Sequence, residues 1–101
     1  MDSKILDAIE KLIIESDDYY PTTDGGYEWE TDDYTIEFNA QISSDSDVLG
    51  NTFQITLNTD YGVQSVIIPP NSLYWASFNS IWKRISEQCF PIEQILKLLN
   101  K

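Results

Sequence analysis

A chain of 101 residues that is 42% hydrophobic, with three Trp, six Tyr and four Phe, is built to fold, and its length predicts one domain over residues 1–101. Seventeen acidic side chains against six basic ones leave a net charge of −11, and histidine is absent. That sign excludes direct nucleic-acid binding, which needs cations to displace counterions from phosphates, and no apolar run approaches the ~20 residues that span a bilayer.

Residues 3–16, SKILDAIEKLIIES, place Ile5, Leu6, Ala8, Ile9, Leu12 and Ile13 on one helical stripe, with Asp7, Glu10, Lys11 and Glu15 opposite. Asp2 or Ser3 caps the start, and the helix should end near Ser16, since Asp17-Asp18 and Tyr20-Pro21 disfavour its continuation. Thr22 to Gly26 reads as a loop. Alternation then takes over. Tyr27, Trp29 and Thr31 share one phase, against Glu28 and Glu30. After a turn at Asp32-Asp33, Tyr34, Ile36, Phe38, Ala40 and Ile42 alternate with Thr35, Glu37, Asn39 and Gln41. Ser43 to Asn51 is a polar loop. Phe53, Ile55 and Leu57 mark a third strand, and Asp60-Tyr61-Gly62 turns the chain into a fourth, Val63 to Ile68, closed by Pro69-Pro70.

Asn71 or Ser72 then caps a helix with the stripe Tyr74, Trp75, Phe78, Ile81, Trp82, Ile85 and Cys89. Pro91 opens a final helix with Ile92, Ile95, Leu96 and Leu99 inward. The expected fold is α+β. It is a four-stranded antiparallel meander with one N-terminal and two C-terminal helices on one face, in the order α-β-β-β-β-α-α. Trp75, Phe78, Ile81 and Trp82 are expected in the core.

Without histidine, Ser-His-Asp and Cys-His catalysis and the usual zinc sites are ruled out. Cys89, the one cysteine, lies on an apolar stripe, leaves no internal disulfide and suits a reducing compartment. Gly25-Gly26 lacks the lysine of a phosphate loop. Asp45-Ser46-Asp47-Val48-Leu49-Gly50 starts like a calcium loop, but Leu49 and Thr56 occupy positions five and twelve, where acids or amides are needed. The expectation is a protein that is not an enzyme and uses no metal or cofactor. Its start, Met1-Asp2-Ser3-Lys4, opens a helix and not a signal peptide, so a cytoplasmic protein keeping its whole chain is expected.

From Leu12 to Trp82 there are twelve acidic side chains and no basic one, and eleven of the twelve fall between Glu15 and Asp47. Such self-repulsion destabilises a compact state. A solvated edge that blocks sheet-to-sheet aggregation accounts for Glu28 and Glu30. It does not account for the missing lysines, because lysine is itself a favoured edge blocker. On a strand Glu28 and Glu30 project together about 6.7 Å apart, and Glu37 joins them across the ~4.8 Å gap to the neighbouring strand. Neighbouring phosphates of one nucleic-acid strand have a similar spacing, roughly 6–7 Å. The meander should bring Asp17, Asp18 and Asp24 towards Asp45 and Asp47, with Asp32, Asp33 and Asp60 at the other end. Trp29 and Tyr34 are the rings expected to add specific contacts.

In size and charge the chain resembles phage-encoded inhibitors of host defence, such as anti-CRISPR, anti-restriction and uracil-glycosylase inhibitor proteins. This likeness is compositional and carries no shared motif. It implies a nucleic-acid mimic that blocks the cationic groove of a defence nuclease or similar effector in a bacterial host cell. The alternatives are an immunity protein neutralising a basic nuclease toxin, and an acidic adaptor or structural domain. The expected partner-binding residues are Asp17, Asp18, Asp24, Glu28, Trp29, Glu30, Asp32, Asp33, Tyr34, Glu37, Asp45 and Asp47.

Overall fold

The computed structural model describes residues 1–42, 51–89 and 92–100, the side chains of Ile42, Cys89, Ile92, Glu93 and Gln94 excepted. Asp45, Asp47, Pro91 and the Cys89 side chain therefore lie outside the described residues. Helix α1 (Ser3–Glu15) leads into five strands, β1 (Tyr19–Pro21), β2 (Tyr27–Glu30), β3 (Tyr34–Ile42), β4 (Asn51–Thr59) and β5 (Gly62–Ile68). Helices α2 (Trp75–Cys89) and α3 (Ile92–Leu99) come after the sheet. The strands form one antiparallel sheet in sequence order, β1-β2-β3-β4-β5. The α+β meander is as expected, with one strand more.

That strand is β1, three residues too short to show an alternation. It pairs Tyr19 with Trp29, Tyr20 with Glu28 and Pro21 with Tyr27. Its reversal moves the acids before it. Asp18 and Asp17 run on beyond the Tyr19–Trp29 pair, towards the β2–β3 turn, and so lie at the Asp32–Asp33 end of the sheet. The expectation that they join Asp24 at the opposite end is corrected.

Alternation sorts the sheet into two faces. Tyr27, Trp29, Ile36, Phe38, Phe53, Ile55 and Ile68 are buried, and α1 (Leu6, Ile9, Ile13) and α2 (Phe78, Ile81, Ile85) complete one continuous core against them. Burial of this apolar area drives the assembly. Trp75 and Trp82 are packed against this core and only partly buried, as are Ile5 and Leu12. The Trp82 ring still bridges three strand residues, 5.0 Å from Tyr27, 5.1 Å from Phe38 and 5.9 Å from Phe53 between centroids. On α3 the expected inward stripe does not hold at Leu96 and Leu99, which are 50% and 75% exposed.

The helix ends are tied down by side chains. Asp2 caps α1 by accepting from the Lys4 amide at 2.7 Å. At its other end, Arg84 of α2 donates to the carbonyls of Ile13 (3.1 Å) and Ile14 (3.3 Å). A cation at unsatisfied carbonyls complements the helix dipole. Arg84 is thus half-buried between the two helices, while Lys83 beside it is exposed.

Candidate functional site: an acidic sheet face

The face turned away from α1 and α2 carries the second phase of every strand. Its middle row runs Tyr20, Glu28, Glu37, Thr56, Ser65 from β1 to β5, each residue registered opposite the next. A neighbouring row runs Glu30, Thr35, Asn58, Val63. Glu28 and Glu37 are therefore a directly opposed like-charge pair, an arrangement that costs a sheet stability. Glu30 flanks Glu28 on the same strand face. These are the acids expected to project together, and they do.

Tyr20 organises this group. Its hydroxyl donates to Glu30 Oε2 at 2.7 Å. Hydrogen bonds to Glu30 and Glu28, then partial desolvation and the charge of both carboxylates, raise the phenol well above the ordinary tyrosine range. Sequence reasoning missed Tyr20 because only its pairing with Glu28 shows which face it shares.

At one end of the face, Asp24, Glu28 and Glu37 line a depression of about 250 Å³ with Thr22, Thr23 and Asn39. The Thr22 hydroxyl donates to the Asp24 carboxylate and holds that acid below its usual range, against the opposing effect of desolvation and with lesser help from the amides of Asp24 and Gly26. Gly26 makes the loop possible. A Cβ there would come 2.8 Å from the Phe38 carbonyl oxygen and overlap the Asn39 side chain. At the other end, Asp32, Asp33 and Asp60 line a second depression of about 170 Å³ with Thr31, Thr35 and Asn58. Acceptors converging in this way suit a guanidinium or ammonium group, which brings only donors.

Two expected residues do not belong to this face. Trp29 is 2% exposed, shares the inner phase with Tyr27 and Ile36, and donates its indole N–H to the Ser16 carbonyl at 3.4 Å. It is a core residue, not a contact. Tyr34 shares the inner phase with Ile36, is half-buried against the core and lines an apolar groove beside α1, although it also borders the Asp32–Asp33–Asp60 depression. Asp17 and Asp18 are exposed at the Asp32–Asp33 end, as Glu30 is at the rim.

The cations lie elsewhere. Lys4 and Lys11 are on α1, Lys83 and Arg84 on α2 and Lys97 on α3, so the strands and their described connections carry none. Among the described residues no helix is long and apolar enough to cross a membrane. No protein-family model, curated protein or solved structure matches the chain.

Proposed function

We propose that the acidic sheet face is a docking surface for a cationic, nucleic-acid-handling protein, and that the chain acts without catalysis by occupying the groove its partner uses for DNA or RNA. The observation that supports this reading is the opposed pair Glu28–Glu37, with Glu30 beside it and no cation on the sheet. A fold under selection for stability alone separates such charges or pairs them. Here they are kept together, and along β2 Glu28 and Glu30 stand about 6.7 Å apart, a spacing that approaches that of phosphates. Asp24, Asp32, Asp33 and Asp60 extend the negative potential to both ends of the face, where it steers encounter with a basic partner. The setting that fits is the cytoplasm of a bacterial cell, with a defence nuclease as target.

The experiment is capture from a bacterial lysate on the immobilised protein, with and without competing DNA, read by mass spectrometry. A restriction, CRISPR or repair enzyme that is released by DNA supports the proposal. A basic toxin encoded beside this chain would assign it to immunity instead. Retention of nothing that competes with nucleic acid would reject mimicry.

A further inference from the structure

The two edges of the sheet are treated differently. At the first, β1 is three residues long, contains Pro21 with no N–H to offer, and comes directly after Asp17-Asp18. Short length, proline and charge are the usual guards against edge pairing. At the second, β5 offers seven residues, GVQSVII, with no charge and no proline. Val63 and Ile67 stand 62% and 54% exposed on its outward face, and Gln64 and Ser65 are exposed as well. A long, neutral, apolar edge strand is a template for another strand.

We infer that β5 pairs with β5 of a second copy, antiparallel about a two-fold axis, to join two sheets into one. Charge favours a second copy at this edge over one at β1. Each chain carries −11, and the strand carboxylates of the outward face gather on β2 and β3, so that among the described residues Asp60 in the turn before β5 is the one acid of that face near this edge. The segment is also self-complementary. The register that overlaps all seven residues sets Ser65 opposite Ser65 of the partner subunit. It then sets Val63 opposite Ile67 of the partner subunit, and the symmetry repeats that apolar pair. Two exposed aliphatic side chains that would otherwise meet water thus cover each other, while both acidic faces stay open.

The test is sedimentation equilibrium over a concentration series. Wild-type mass should rise from 11.6 kDa towards twice that value. Dimerisation should strengthen as salt rises from about 50 to 500 mM, since salt screens repulsion between two anionic chains. Docking of a cationic protein on the acidic face would respond to salt with the opposite sign, which separates the two claims. Val63→Glu/Ile67→Glu places like charges opposite each other twice and should weaken the dimer about tenfold or more. Val63→Glu/Ile67→Lys places opposite charges there and should restore it, with circular dichroism unchanged in both. A wild-type chain that stays monomeric throughout, or a double-glutamate variant that dimerises like wild type, overturns the inference. Failure of the Glu/Lys variant to recover would reject this register.

Discussion

Tyr20 keeps its proton because losing it would set a phenolate against Glu30 and Glu28. This fixes the sign of the linkage between pH and stability. A folded-state value raised above the ordinary tyrosine value of about 10 contributes stability that is complete below that pH. The contribution fades as pH climbs from there through the folded value. Tyr74, which donates to Asp7 Oδ1 at 2.8 Å, shifts the same way for the same reason. Absorbance titration of tyrosinate should therefore show a late phase that Tyr20→Phe diminishes and Glu30→Gln moves to lower pH. A late phase indifferent to both substitutions would contradict the hydrogen bond. Gly26 offers a second check on a single residue. Gly26→Ala drives a methyl against the Phe38 carbonyl, which the sheet holds in place, and should cost about 1–3 kcal/mol in a denaturant melt. An unchanged midpoint would mean that the loop yields where the packing says it does not.

If the acidic face binds a partner as proposed, the pair of strands β2 and β3 sets stability against binding. Replacing Glu37 by lysine turns a like-charge pair with Glu28 into an opposite-charge one on an exposed face. Glu37→Lys should stabilise the fold by about 0.2–1 kcal/mol, measured by urea denaturation, and yet weaken partner binding. A destabilised variant would mean that the opposed acids are not a strain on the sheet. The same strands show how far sequence could reach. Where alternation ran for seven residues or more, as in β3 and β4, the faces were legible from the order of residues, whereas Val63 to Ile68 does not alternate and only pairing with β4 and burial show that Val63 and Ile67 face outward. The period also placed Trp29 beside Tyr27 on the inner face, but its position between two glutamates argued for a contact, and burial wins. β1 was illegible because three residues hold barely one alternation, and only pairing with β2 reveals Tyr20 as a partner of Glu30. Missing β1 also put Asp17 and Asp18 at the wrong end. On α3, Leu96 and Leu99 kept to a helical period, yet that period says which residues share a stripe, not whether a neighbour covers it.

Across the whole molecule, charge is sorted by layer. Helices carry the described cations, while the exposed sheet face carries acids and neutral hydrogen-bonding groups such as Thr56, Gln54, Asn39 and Asn58. Self-repulsion within that layer is offset by the shared core of Phe38, Phe53, Phe78 and the aliphatic residues around them. A partner's arginines and lysines would relieve the repulsion on binding, and pairs desolvated at the centre of the contact would contribute most. The central claim is that this face and a nucleic acid compete for one cationic groove. The most direct measurement titrates the captured partner, loaded with fluorescently labelled DNA or RNA, with wild type and with Glu28→Lys/Glu30→Lys/Glu37→Lys. Wild type should displace the nucleic acid completely, with an affinity that falls steeply as salt rises from about 50 to 200 mM. The triple variant should keep the wild-type circular dichroism spectrum and displace none. A ternary complex of partner, nucleic acid and wild-type protein, or a triple variant that competes as well as wild type, would contradict the account.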